Sequence, residues 1–288
     1  MLVPRRGAMR LPDVLALVGL LGAIAILVVL YLPRGNGGGR RNTCANNMRN
    51  VGLALIQYEA NHKGYSGYAN TIGARTASFV VPILPYLERQ DLLRAWEEGL
   101  IPFQQLAAIH LEILTCPNDP TENQTTGPLS YVVNAGEATH QRAANGVFHD
   151  HTKANPVAVS NEYISKHDGT VYTLLVSENV QAEKWAVTDA TKAKLWTTFV
   201  WHRAPVPRNA PINAGKDPQE QPIQPVESLE YARPSSYHPG GVNVYFCAGN
   251  SRFLNDNIDY KVYRQLMTPN SAESDDPDKV ELKGDDDF

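Results

Sequence analysis

Apolar residues follow three different rules along this chain. From Val14 to Leu32 they form an unbroken run of 19 residues without a charge. As an α-helix rising about 1.5 Å per residue, that run covers roughly 30 Å, the hydrocarbon thickness of a bilayer. It reads as a transmembrane helix over 14–32 whose partner is membrane lipid. From Met48 the rule becomes helical recurrence. Met48, Val51, Leu55 and Tyr58 fall three or four residues apart, Asn42 or Thr43 can cap the start, and Gly64 stops it. A helix is expected from about Arg41 to His62. Between the two lies Pro33–Gly39, with four glycines in seven residues, a flexible linker.

Further on, the segments shorten and strands appear. Val80–Trp96 reads as helical pieces interrupted by Pro82 and Pro85, with Asp91–Glu98 the clearest helix. Leu111–Thr115 and Leu129–Val133 read as short strands. Val171–Ser177 is almost continuously apolar and therefore a central strand. Val242–Cys247 alternates, with Val242, Val244 and Phe246 on one face and Asn243, Tyr245 and Cys247 on the other. Gly249-Asn250 turns the chain and Ser251–Leu254 returns as a hairpin partner. Residues 137–168 and 203–230 read as long loops.

Composition agrees with a β-containing fold: 20 Pro and 21 Gly in 288 residues demand many turns. The net charge of −4 is uneven. Ser271–Phe288 holds eight acids against two lysines, leaving about +2 elsewhere, and no basic stripe. Nucleic acid is therefore excluded as a partner. The end reads as an acidic disordered tail over 269–288 without the alternating spacing of a calcium loop. Arginines at 5, 6 and 10 precede the apolar run, and others at 34, 40 and 41 follow it, so charge does not orient it. No small-residue cleavage site follows the run, which marks an uncleaved anchor. Gly19 and Gly22 admit a second helix or simply belong to a monomeric anchor. Three cysteines, at 44, 116 and 247, allow one internal disulfide, and no C-x-x-C pair suggests a zinc ribbon.

The segment Arg41–Tyr58 resembles the post-anchor helix of the bacterial domain-of-unknown-function family 1559, a group of pilin-like proteins. Five further segments resemble that family's motifs in order: Ile83–Glu88, Leu114–Pro120, Leu129–Gly136, Asp168–Glu178 and Ser235–Gly249, the last being a His, nine residues and a turn. The resemblance covers roughly 9–267. It implies a pilin-like fold placed outside the cytoplasmic membrane. Aligned to the family's prepilin signal, Asp13 keeps the fifth-position carboxylate, while Ala8 and Arg10 depart from the pattern around Met9. With the glycine linker, this favours a tethered relative over a filament subunit. The family also marks the segments of Cys44 and Cys116 with cysteine, and outside the cytoplasm a Cys44–Cys116 disulfide would tie the helix to the sheet edge. The family's Asp before the final glycine is replaced by Ala248.

Candidate chemistry is sparse. His149 and His151 flank Asp150 and would share a face on a strand, as metal ligands, or lie in a polar loop. His238 enters a tight turn, either bonded to a backbone group or acting as a base without a nameable partner. Trp196 and Trp201 either stack on a ligand from an exposed surface or alternate along a half-buried strand. Nucleotide, hydrolase and zinc-protease motifs are absent.

The reading is an α+β protein: N-terminal transmembrane helix, then a pilin-like helix packed on an antiparallel β-sheet with long loops. Its parts are a cytoplasmic N-terminus (1–13), the membrane helix (14–32), a linker (33–40), an ectodomain (41–268) and the tail. It is expected to sit in the cytoplasmic membrane as a non-enzymatic structural or adhesive protein that contacts other pilin-like or secretion-system proteins. The alternatives are a ligand-binding module, for glycans among others, built on loops 137–168 and 180–230 with Trp196, Trp201 and His238, or a hydrolase with a dispersed site. No catalytic, cofactor or metal residue is assigned.

Overall fold

The computed structural model describes residues 11–31, 36–119, 127–203, 212–213 and 228–279. The prepilin-like positions Ala8 to Arg10, residues 32–35, most of loop 203–230 and the last nine residues lie outside them. The chain divides into two compact units, Met1–Gly39 and Arg40–Phe288.

In the first unit, helix α1 (Leu11–Tyr31) opens with Asp13 in its first turn, where a carboxylate suits the helix dipole. Its side chains are described to Ile24, and the large apolar ones, from Leu11 to Ile24, are exposed. Among the described residues no helix is long and apolar enough to cross a membrane.

Helix α2 (Asn36–His62) begins five residues before the expected Arg41 and includes Gly37, Gly38 and Gly39. Each such glycine costs about 1 kcal/mol relative to alanine, but propagation from an already formed helix fixes one residue per hydrogen bond. A hairpin follows, β1 (Ala69–Ile72) and β2 (Arg75–Ser78), turned at Gly73 with φ 62°. Helices α3 (Val80–Ile83), α4 (Gln90–Glu98) and α5 (Phe103–Ala107) then cover one flank. Pro85 ends α3 in a 3₁₀ turn, as its ring demands. The expected strand Leu111–Thr115 is instead a 3₁₀ turn over Glu112–Leu114, closed by the Thr115 amide donating to Glu112.

The main sheet holds β3 (Tyr131–Glu137), β4 (Leu174–Glu178), β5 (Thr198–Trp201), β6 (Gly241–Phe246) and β7 (Ser251–Asn255) in the order β5-β3-β4-β6-β7. The central strand is the expected apolar one, but it begins at Leu174 rather than Val171, because residues 171–173 are still turning and Val171 is exposed. The sheet is mixed rather than purely antiparallel, because β5 pairs parallel to β3. A parallel pair needs a long crossover, and the chain between β3 and β5 supplies it with α6 (Asn161–Lys166), β4 and α7 (Ala190–Thr197). Helix α8 (Tyr260–Met267) closes the fold.

Both faces of the sheet are buried. Tyr131, Val133, Leu175 and Tyr245 meet Cys44, Met48, Val51 and Leu55 of α2 in one core. Val132, Leu174, Val242, Val244 and Phe246 meet Tyr263, Leu266 and Met267 of α8 in the other. Leu175 and Val176 both join the α2 core because the β4–β6 register shifts between Leu174 and Val176, and a bulge puts consecutive side chains on one side. Gly52 lets α2 approach closely: a Cβ there would lie 2.2 Å from the Tyr245 ring.

The expected disordered tail is corrected over 269–279. Ser271–Glu273 is a 3₁₀ turn, and Asp276, only 1% exposed, accepts from Gln265 Nε2 at 2.7 Å and pairs with Arg264 at 3.2 Å. Asp275 pairs with Arg142 at 3.0 Å and Arg203 at 2.6 Å. The acidic composition serves cations brought from distant segments, which a local count cannot register.

Candidate functional site

Four segments converge beside the N-terminal part of α2. Cys44 on the helix is joined to Cys116, 72 residues on, in a disulfide with a Cα–Cα distance of 4.7 Å. Cys116 sits in a tight turn in which the Asp119 amide donates to its carbonyl. The helix is docked onto this turn by Asn47, whose Nδ2 donates to the Thr115 carbonyl at 3.0 Å, and by Tyr131, whose hydroxyl donates to the Cys44 carbonyl at 3.0 Å.

Behind the disulfide lies His238, in the turn that leads into β6. Its Nε2 is 3.6 Å from Cys116 Sγ and 3.0 Å from Glu178 Oε1. Glu178 is the last residue of β4. It faces this point because β4 and β6 are neighbours, with Ser177 opposite Val244. Glu178 Oε2 accepts from the Asn243 amide at 2.8 Å, and Asn243 Nδ2 donates to both carboxylate oxygens. On the other side of the imidazole, Asn118 Nδ2 donates to Nδ1 at 3.0 Å. These partners assign the proton to Nε2, which donates to Glu178. His238 and Glu178 are 2% exposed, and the paired acceptor and donor make that burial tolerable.

His238 therefore bonds through its ring to two side chains, rather than to a backbone group, and the carboxylate the sequence could not name is Glu178. Nearby, Ser130 Oγ accepts from the Cys116 amide and donates to Asp119 Oδ2 at 2.9 Å. Burial pushes the Asp119 carboxyl up to about 7, with the Glu178 charge adding to the rise and the Ser130 bond opposing it. One donor atom each from Cys44, Cys116, Glu178 and His238 lies within 4.8 Å of the others. On its outer side the disulfide borders an open cleft of about 910 Å³ lined by Asn47, Asn50, His110, Glu112, Cys116 and Asp119. Chemically, the arrangement holds a reducible sulfur pair, an imidazole nitrogen and a carboxylate within 4.8 Å of one another.

The residues proposed as one ligand-binding set do not meet. Trp201 lies on β5 in the α8 core with no exposure, its Nε1 donating to the Asn145 carbonyl at 3.0 Å. That removes it as an exposed stacking platform. Trp196 is on α7, not on a strand. It lines a groove of about 420 Å³ with Phe103, Ala107, Val187 and Lys192, whose ammonium stands 5.2 Å from the indole centroid. The other side of α7 faces a cleft of about 810 Å³ with Tyr68, Asp150, Lys153, Lys194 and His202, between the two loop regions named in the sequence. The pair His149 and His151 lies in a loop and not on a strand face, but the loop is packed inward: His149 is fully buried, its Nε2 bonded to the Gly146 carbonyl, and His151 bonds the Val157 carbonyl. Burial lowers His149 to about 4. Cys247 is a buried free thiol.

Sequence reasoning missed Glu178 as a site residue. The available signal was its place at the end of a family-like segment, next to the strand that follows His238.

A family model described as "Protein of unknown function (DUF1559)" matches residues 38–261. No curated protein and no solved structure matches the chain.

Proposed function

Because the chain belongs to the family of proteins of unknown function numbered 1559, we propose a role that rests on placement rather than turnover: a single-pass, membrane-anchored structural or adhesive protein, non-enzymatic and pilin-like. The observation that carries the reading is α1, whose large apolar side chains from Leu11 to Ile24 are exposed in a stretch of sequence uncharged from Val14 to Leu32. Apolar surface of that kind demands a lipid or protein partner. The Cys44–Cys116 disulfide supports an ectodomain outside the cytoplasm, where such bonds persist. The partners are then the bilayer, through 14–32, and other pilin-like or secretion-system proteins.

Alkaline extraction of membranes from cells expressing the full chain tests this. The protein should stay with the membrane, and the variant carrying Leu20→Arg and Ile24→Arg should be released. Protease added to intact spheroplasts should digest the part after residue 40. Full release of the unaltered chain, or complete protection of that part, would remove the reading.

A second reading is supported by the Trp196 groove: a ligand-binding module in which the indole stacks on a sugar face, with Lys184, Lys192 and Asp189 at the rim. A glycan-array signal abolished by Trp196→Ala and untouched by changes at His238 would favour it.

A further inference from the structure

We propose that Cys44, Cys116, Glu178 and His238 form a binding site for a zinc-class divalent cation in the reduced protein, and that the disulfide is the oxidised, metal-free form of the same site. Zinc takes four ligands of the types gathered here, two thiolates, an imidazole and a carboxylate. Sulfur and nitrogen ligands on a tetrahedral zinc lie about 3.6 Å apart, given Zn–S near 2.3 Å and Zn–N near 2.0 Å. Cys116 Sγ and His238 Nε2 are already 3.6 Å apart. Glu178 Oε1 and His238 Nε2, at 3.0 Å, need to part by a few tenths of an ångström to share the ion. The two sulfurs must separate to about 3.7 Å, the tetrahedral edge for two thiolates.

The surroundings supply what a metal site requires beyond its ligands. Asn118 reaches the remote nitrogen of His238, Nδ1, at 3.0 Å, and Asn243 bonds the Glu178 carboxylate through both its amides. Such partners fix ring and carboxylate orientation. Metal binding needs the His238 proton on Nδ1, and a half-turn of the Asn118 amide presents its oxygen to accept it. The 910 Å³ cleft that Cys116 lines gives an entry path for ion and reductant.

The chemistry balances. A dithiol reductant breaks the Cys44–Cys116 bond, supplying two electrons and two protons, and is itself converted to a disulfide. The cation then binds and the two thiols release two protons, while the His238 proton moves from Nε2 to Nδ1. One divalent ion replaces two protons, so the site keeps the single negative charge of Glu178 throughout. No additional buried charge has to be solvated. Metal and disulfide exclude one another, and occupancy reports the redox history of the ectodomain.

The test uses the full chain in mild detergent with Cys247→Ala, so that the third thiol contributes nothing. The protein is reduced with a dithiol, desalted without oxygen and titrated with cobalt(II), then zinc. The expected result is one cobalt per reduced chain with a thiolate-to-metal charge-transfer band, displaced by zinc, and none in the oxidised chain. His238→Ala and Glu178→Gln should each weaken binding at least about tenfold. If reduction unfolds the chain, refolding on addition of one equivalent of zinc supports the site, and failure to refold overturns it. A folded reduced chain without the thiolate band, equal binding by the oxidised chain, or affinity indifferent to His238→Ala would also overturn it.

Discussion

The two faces of the central sheet are covered by different means. On one, α2 lies close on the strands, with Gly52 against Tyr245 and a covalent bond from Cys44 to the turn at Cys116. On the other, α8 buries Tyr263, Leu266 and Met267, and its polar edge is clasped by charged pairs from the C-terminal segment. The first face depends on shape and redox state; the second depends on ionisation. The two faces are therefore expected to answer to different variables, one loosening while the other keeps its protection.

The largest expected effect is on the α2 face. Replacing Cys44 and Cys116 together with alanine frees a loop of 72 residues' separation. Chain-entropy arguments put the loss at about 4 kcal/mol. Urea unfolding of the oxidised protein and the variant should show it; equal midpoints would mean the staple adds nothing. On the α8 face, Arg264→Met leaves the buried Asp276 carboxylate without its cation, held only by the neutral donors Gln265 Nε2 and the Asp278 amide, at a cost of roughly 3 kcal/mol. Hydrogen exchange should then rise in α8 and in 271–279 while α2 keeps its protection. Loss spread evenly over both faces would show that they are held together as one unit. Gly52→Ala should come next, at about 2 kcal/mol, because the added methyl meets the buried Tyr245 ring. A cost of Gly52→Ala that disappears when it is measured in a Tyr245→Ala background would identify the clash as the cause.

The smallest effect is ionic. Burial raises Asp275, but the Asn145 bond and the Arg203 and Arg142 guanidiniums outweigh it and hold the carboxyl below the usual range. A lowered folded value adds stability that is fully present above the ordinary carboxyl pKa, near 3.9, and is lost as pH falls through the folded value. Asp275→Asn should cost under about 1 kcal/mol at pH 7. The gap from the unaltered protein should close only below about pH 4. A gap that persists to pH 2 would assign the effect to packing.

Much of the fold was legible because its signals are local. The stripe from Met48 to Tyr58, the apolar run ending near Ser177 and the alternation from Val242 to Phe246 each declare one element and one buried face. The start of α2 was misplaced because glycine propensity argues against a helix at Gly37–Gly39, whereas cooperativity with the turns that follow extends it. The strand expected at Leu111–Thr115 became a turn because Asn47, on another element, draws its carbonyls toward the helix. Trp201 was ambiguous for a similar reason: alternation fixes neither which core a strand faces nor whether that core is covered, and α8 covers it.

What the sequence determined alone is therefore the list of parts and their periodicity, together with an apolar N-terminal run and a cysteine pair marked by a family resemblance. Hydrophobic periodicity is written in neighbours a few residues apart, so a linear reading recovers it. Only the tertiary structure decided which charges met. Glu178 and His238 are 60 residues apart, Arg142 and Asp275 133, and Cys116 and His238 122. Hydrogen bonds and ligand sets act over about 3 Å and depend on direction. Strand order and register alone bring such groups to contact, and no local pattern along the chain encodes them.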